Sequence, residues 1–280
     1  MKQTEANEYY NIYFRHGEWW LSYLENTDEK ARTLEVLLPL LLPLLNGRET
    51  IRVLDIGAGN GVLSIKLSGD FLKQGLQVEL DAVEPSPALS EELMRNVQEA
   101  KLSDCLRHCF RERFEKIVLP EESYDLILCI GSIYGIAQTD EGTSPFGNMA
   151  KLLLPDGFLV IIVQTEQSPY KVVQRKLLES RYGSVLLSAQ KVREALGHVA
   201  SAEIVYDDGF SGSLYIELPG ASSAGVPLST THILSLLAKK DFSRLTSLER
   251  QDIVSTVRGA INGTPPALGI QNRLYLLKKG

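Results

Sequence analysis

Apolar positions along this chain switch between two periods. Short runs at 51–56, 78–83, 124–130 and 157–163 are rich in Val, Ile and Leu, as strands are, and 106–110 (LRHCF) reads as a weak strand among them. Between them, 62–67, 87–97 and 148–154 place apolar residues at helical spacing. Strands and helices thus alternate through residue 163, which predicts a doubly wound α/β sheet. The nearly continuous apolar run over 157–163 fits a parallel strand covered on both faces. Further on, 170–181 and 189–196 read as helices, 202–206 and 214–218 as strands, 229–239 and 248–261 as helices, and 274–277 as a last strand.

Punctuation supports this order. Asn26-Thr27-Asp28-Glu29 opens a leucine-rich helix over 30–45, bent at Pro39 and Pro43, and Asn46-Gly47 closes it. Ser86 suits an N-cap before Pro87. Thr246 and Glu249 have capping-box spacing. The 219–227 stretch (PGASSAGVP) reads as a flexible linker. The N-terminal stretch mixes charges with Tyr9, Tyr10, Tyr13, Phe14, Trp19, Trp20 and Tyr23.

Composition narrows the function classes. The chain has 280 residues, 44% hydrophobic and 23% charged, with a net charge of -6. That is ordinary globular composition, and the acidic balance argues against a nucleic-acid partner. Cys105, Cys109 and Cys129 form no CxxC, so reduced thiols and a cytoplasmic location are expected. The greasiest run, 36–45, is too short to span a bilayer, and no secretory signal is read at the N-terminus. His16, His108, His198 and His232 are scattered, so no metal is expected. A monomer is the default.

The sharpest motif is Val53-Leu54-Asp55-Ile56-Gly57-Ala58-Gly59-Asn60-Gly61, where a strand runs into a helix. Glycines there let the backbone approach a ligand, and the helix start offers free N–H groups. The bland alternative is a tight turn. Position 62 is Val, so the spacing departs from the dinucleotide fingerprint G-x-G-x-x-G. At the end of the second strand stands Glu84, in Ala82-Val83-Glu84-Pro85-Ser86. A carboxylate there can accept hydrogen bonds from both hydroxyls of a ribose.

Asp55 with Gly57, Gly59 and Gly61 resembles motif I of class I S-adenosylmethionine-dependent methyltransferases. So does the order of Glu84, the strand 124–130 followed by Gly131-Ser132-Ile133-Tyr134, and the turn Leu153-Leu154-Pro155-Asp156-Gly157. The resemblance spans about 51–163. It implies a Rossmann-like seven-stranded sheet with the last strand antiparallel, and S-adenosylmethionine as cofactor, released as S-adenosylhomocysteine. By it, Asp55, the three glycines, Glu84, Pro85, Ser86 and Ile130 hold the cofactor, and Arg113 and Phe114 lie by the adenine.

The flanks resemble the histamine N-methyltransferase-like family. Leu24-Glu25-Asn26-Thr27-Asp28-Glu29 looks like its N-terminal region, and Gln271-Asn272-Arg273-Leu274 like the start of its final strand. Carried over, Glu29 and Asn272 fall on substrate-binding positions, Trp20 and Tyr134 on aromatic ones, and Tyr170 on a tryptophan. The chain departs at Gly131 and Gly135, where the family has a glutamine and an aromatic, so a roomier pocket and a larger amine are expected. Glu29 and Tyr134 are the catalytic candidates. Trp20, Tyr23 and Tyr134 would cage a cation. Each has a plainer reading: Glu29 as a first-turn acid, Trp20 and Tyr23 as core, Asn272 as a turn residue.

Other methyltransferase classes lack their marks. No [D/N/S]-P-P-[Y/F/W] follows the fourth strand and no Pro-Cys occurs. Asp140 and Glu141 read as a solvated loop rather than a metal cluster. One methyltransferase domain is expected, with a helical cap over 1–47, a cofactor-binding core over 48–218, a helical insert over 219–268 and a last strand over 269–280. The expected reaction is methyl transfer to an amine nitrogen of a small molecule. The alternatives are an O-methyltransferase of a carboxylate or phenol, and a peptide N-methyltransferase.

Overall fold

The computed structural model describes residues 15–136, 145–182, 189–218 and 226–280. Tyr9, Tyr10, Tyr13, Phe14, Asp140, Glu141 and most of the 219–227 stretch lie outside these. The described residues form α1 (Gly17–Glu25), α2 (Glu29–Leu44), β1 (Thr50–Ile56), α3 (Val62–Lys73), β2 (Gln77–Val83), α4 (Pro87–Glu99) and β3 (Leu106–Phe110). Then come β4 (Tyr124–Ile130), α5 (Pro145–Leu152), β5 (Leu153–Gln164), α6 (Pro169–Tyr182), α7 (Ala189–Leu196) and β6 (Ala202–Tyr215). The last three are α8 (Leu228–Ala238), α9 (Ser247–Arg258) and β7 (Ala267–Lys279).

Seven strands make one sheet in the order β3-β2-β1-β4-β5-β7-β6. The pairs β1–β2, β1–β4, β2–β3 and β4–β5 are parallel. Chain direction through the sheet reverses beside β1, which has β2 on one side and β4 on the other. In open α/β sheets ligands bind at such a switch point, beyond the carboxyl ends of the strands. Register places the site: Ile56 lies opposite Val83, so the glycine loop and Glu84 leave the sheet side by side.

Alternation along each strand sorts the core into two faces. Leu54, Ile56, Ile127, Cys129, Leu159 and Ile161 pack on one. Val53, Leu126, Leu128, Val160 and Ile162 pack on the other, with Leu37 and Leu41 of α2. At the start of β4 the buried Asp125 is paired with Arg48 and accepts from the Arg52 N–H at 2.8 Å. The Thr246–Glu249 capping box is formed.

Three expectations need correction. The helix over 148–154 ends at Leu152, because Leu153 joins the β4 ladder opposite Tyr124. The strands over 202–206 and 214–218 are one strand, Ala202–Tyr215, and Ile216 to Leu218 lie outside it. Arg193 and Arg273 both grip Asp207, within the stretch left unassigned between the two expected strands. Ser86 occupies the N-cap position of α4, but its side chain makes no cap bond.

Contacts divide the chain into two compact units. Unit one is Met1–Arg32, Gln164–Leu186 and Ser211–Asn272, and unit two is Thr33–Val163, Leu187–Phe210 and Arg273–Gly280. Unit one has its own core, built from Trp19, Tyr23, Tyr170, Leu214, Ile233 and Leu268 among others. No described helix is long and apolar enough to cross a membrane.

Candidate functional site

In unit two, β1 delivers Asp55, 3% exposed, and then a loop in which Gly57, Gly59 and Gly61 have φ of +75°, +60° and +74°. Side chains are costly at such φ. Space is also short: a Cβ on Gly57 would stand 2.2 Å from Ser132 Cβ, and one on Gly61 2.8 Å from Leu93 Cγ. The Gly57 and Ala58 N–H groups donate to Val83 O at 2.8 and 3.1 Å. The loop is thereby tied to the end of β2.

Glu84 follows Val83, and its carboxylate is buried. Its Oε2 accepts from the Gly59 N–H and its Oε1 from the Ser86 N–H, both at 2.8 Å. Burial pushes the carboxyl up to about 7, the two backbone donors pull it down, and the charge of Asp55 raises it further. An ionised carboxylate has about four acceptor positions, two on each oxygen. The backbone uses one on each, which leaves one on each for a pair of hydroxyls. Ser86 Oγ, on the same turn, is buried without a hydrogen-bond partner. A vicinal diol beside Glu84 and a polar group on Ser86 suit this cradle, and the ribose of a nucleoside cofactor supplies the diol.

The remaining expected cofactor residues lie in the same unit. Ile130 ends β4 at 8% exposure. Arg113 is engaged with Glu115 and with Gly135 O at 3.2 Å. Phe114 packs into the core and lines a cavity of about 290 Å³ with Glu115, Ile136 and Lys151. Tyr134 is half-buried on the short 3-10 turn Ile133–Gly135 and packs on the same core. Ser132 was missed by sequence reasoning. Its side chain meets Gly57 and its hydroxyl donates to Ile56 O. A lone serine after a strand carries no signal of that role.

Unit one gathers the other expected residues. Residues 26–28 run beside 213–215: Asp28 N–H donates to Ser213 O, Tyr215 N–H to Asn26 O, and Thr27 bridges Leu214. This fixes the first turn of α2 and places Glu29. Its carboxylate accepts from Tyr23 OH at 2.6 Å and from Asn272 Nδ2 at 2.8 Å. Asn272 is set by its neighbour Gln271, whose O accepts from Thr165 N–H and whose N–H donates to Ser168 Oγ. Trp20 stacks on Tyr23 at 4.7 Å, and Tyr170 meets Tyr23 edge-on at 5.8 Å. Burial and the charge of Glu29 hold the Tyr23 hydroxyl well above its usual pKa, so it stays a donor.

Asn272 is the informative member. It is 2% exposed, and a carboxylate can only accept, so its amide must turn the NH2 toward Glu29. That leaves Asn272 Oδ1 buried with no hydrogen-bond partner. The cluster thus presents an unused acceptor and a carboxylate beside stacked aromatic rings. Nitrogen bearing N–H groups is the ligand chemistry it suits. Among the described residues no group of three or more His, Cys, Asp or Glu could hold a metal.

A family model for a methyltransferase domain matches residues 23–202. Over 111 residues the chain is 32% identical to the tRNA1(Val) (adenine(37)-N6)-methyltransferase of Flavobacterium psychrophilum. The match covers 39% of this chain and 44% of that one, so the chain spans under half the length of this curated relative. Two solved structures share the fold. A Galdieria sulphuraria protein assigned as a sarcosine dimethylglycine methyltransferase has a TM-score of 0.56 at 17% identity, covering 89% of this chain and 86% of that one. A SAM-dependent methyltransferase of Thiobacillus denitrificans, in complex with S-adenosyl-L-homocysteine, has a TM-score of 0.52 at 13% identity, covering 87% and 90%.

A cofactor held by Glu84 would have an affinity tied to pH. Below about 7 the Glu84 carboxyl takes up a proton and gives up acceptor capacity. By calorimetry, S-adenosylhomocysteine binding should weaken about tenfold from pH 8 to pH 6. Glu84→Ala should cost about a hundredfold at pH 8 and flatten the profile. Unchanged affinity in the variant would remove Glu84 from the ribose site. Gly57→Ala should lose cofactor binding because its Cβ would drive into Ser132; wild-type affinity would show that the loop can shift.

Proposed function

The chain belongs to the methyltransferase-domain family, and on that premise we propose that it is a class I enzyme working with S-adenosylmethionine and that it methylates an amine nitrogen of a small molecule. The observation that carries this reading is Asn272 Oδ1, a buried acceptor without a partner beside the Glu29 carboxylate. An acceptor amine brings N–H donors to both. A phenolate or carboxylate brings none and is repelled by Glu29. The resemblance to the histamine N-methyltransferase-like family, through Glu29, Asn272 and Trp20, supports the same reading.

Bound S-adenosylmethionine supplies a sulfonium methyl group. Asp55, the loop of Gly57, Gly59 and Gly61, Glu84 and Ser86 would hold the nucleoside end, Glu84 offering its two remaining acceptor positions to the ribose hydroxyls. Unit one recognises the acceptor. The acceptor amine would take that methyl on its lone pair. The amine must be uncharged to attack, and Glu29 takes the proton it sheds. Tyr23 and Asn272, both bonded to Glu29, keep its carboxylate aimed. Positioning and exclusion of water are the main sources of rate in such a displacement.

The test is product mass after incubation with labelled S-adenosylmethionine and a panel of aryl- and alkylamines, histamine, carboxylates, phenols, peptides and transfer RNA. A methyl added to a small amine is the expected result. Transfer only to carboxylates or phenols, or only to peptide or RNA, would overturn the reading. Glu29→Gln should raise KM for the amine about tenfold or more while leaving S-adenosylhomocysteine affinity unchanged. Wild-type kinetics would leave Glu29 a first-turn acid.

A further inference from the structure

Two features of the Glu29 cluster place different demands on an amine. A buried amide oxygen needs an N–H, whereas aromatic rings attract any cation, with or without one. The oxygen belongs to Asn272, whose NH2 is turned to Glu29 Oε1 at 2.8 Å. Turning the amide over would set its oxygen against a carboxylate that only accepts, so the orientation is fixed. Asn272 Oδ1 is thereby left buried with no hydrogen-bond partner. It is a neutral acceptor, and only a hydrogen on nitrogen or oxygen satisfies it.

The rings are packed on one another. Trp20 stacks on Tyr23 with centroids 4.7 Å apart and planes 12° from parallel. Tyr170 meets Tyr23 at 5.8 Å and 74°, and the Tyr23 hydroxyl donates to Glu29. Trp19, the other tryptophan of α1, is stacked with His16 at 3.9 Å. One face of Tyr23 is therefore covered by a ring, and its hydroxyl is fixed on the carboxylate. A quaternary ammonium is held by ring faces that stand apart and receive it between them. Here the faces meet each other, and the demand that falls on the ligand is the one made by Asn272 Oδ1.

We propose that the methylated nitrogen must carry an N–H for Asn272 Oδ1, so that the chain acts on primary and secondary amines and stops at the tertiary amine. This rests on the amine reading above and adds which amines qualify and how far they are methylated. A neutral primary amine has two N–H bonds and a secondary amine one. Either can donate to Oδ1 while its lone pair points elsewhere, toward the methyl donor. On transfer the nitrogen gains a bond to carbon and a positive charge, the donor's carbon–sulfur bond breaks with its pair left on sulfur, and Glu29 takes the proton. A tertiary amine cannot meet both demands. Neutral, it has a lone pair and no N–H. Protonated, it has an N–H and no lone pair. The first form leaves Oδ1 buried and unsatisfied, which slows transfer about tenfold or more. The second binds without reacting.

The test uses benzylamine, N-methylbenzylamine, N,N-dimethylbenzylamine and benzyltrimethylammonium. They share a body and, at neutral pH, a single positive charge, and they carry three, two, one and no N–H bonds. Both tryptophans of the chain, Trp19 and Trp20, lie on α1, so intrinsic fluorescence of the full chain, saturated with S-adenosylhomocysteine, reports binding to unit one without turnover. The three members with an N–H should bind, and benzyltrimethylammonium at least about tenfold more weakly than N,N-dimethylbenzylamine. Asn272→Leu, checked for folding by circular dichroism, should shrink that ratio to within about threefold. With S-adenosylmethionine in place of S-adenosylhomocysteine, mass spectrometry should find methyl groups added to benzylamine and N-methylbenzylamine and no benzyltrimethylammonium.

Equal binding of the tertiary and quaternary members, or benzyltrimethylammonium among the products, would overturn the N–H requirement and leave the amine reading standing. A ratio that persists in Asn272→Leu would overturn it too, since size alone would then exclude the fourth substituent. Binding of none of the four would sink the amine reading and this inference with it. Should the variant fail to fold, the binding ratio and the products of the unaltered chain decide.

Discussion

Burying the Glu84 carboxylate at the end of β2 is the demand around which unit two is arranged. Its carboxyl sits near 7 in the folded chain against an ordinary 4.5. A raised carboxyl favours folding only at low pH, and the benefit is lost as pH rises through 7. At pH 8 that amounts to about 3 kcal/mol against the fold. That cost would be larger without the two backbone N–H groups that face the charge, and they face it only because of local geometry. Gly59 reaches Glu84 from a loop of left-handed glycines, and Ser86 from the start of α4. The parallel register of β1 on β2, and the grip of Gly57 and Ala58 on Val83, bring these pieces within reach. A ligand with two hydroxyls completes the shell of acceptors and offsets part of that cost.

Local signals made most of the fold legible. Strands β1, β2 and β4 are short, mainly apolar runs bounded by Gly, Pro or charge, and the Thr246–Glu249 capping box is written in four residues. Errors arose where a distant partner decides between two local options. Leu153 and Leu154 suit helix and strand alike, and pairing with β4 selects strand. Asp207 lies between the two expected strands, and arginines from residues 193 and 273 grip it there. Neither partner is visible in a window of sequence.

Candidate site residues divide in the same way. The glycine loop and Glu84 stand within about thirty residues and have types that few other tasks require. Glu29 and Asn272 are 243 residues apart, and no periodicity links them. Only resemblance to a family placed both on one list. The mutual fixing of Tyr23, Glu29 and Asn272, and the orphaned amide oxygen it leaves, follow from hydrogen-bond directions that a sequence does not carry.

A sheet of this kind hosts many reactions, so the shared fold fixes the cofactor end of the chemistry and little else. Discrimination among acceptors has to come from groups whose satisfaction depends on the acceptor itself. Unit one supplies such groups with opposite needs. Asn272 Oδ1 lacks a donor, while Gln174 Nε2 lacks an acceptor, and both are wholly enclosed. Filling either one alone leaves the other as a buried polar group without a partner, which costs about 1–3 kcal/mol. A ligand that met both would avoid that cost. That difference, rather than any single strong contact, is what would separate acceptors of similar size.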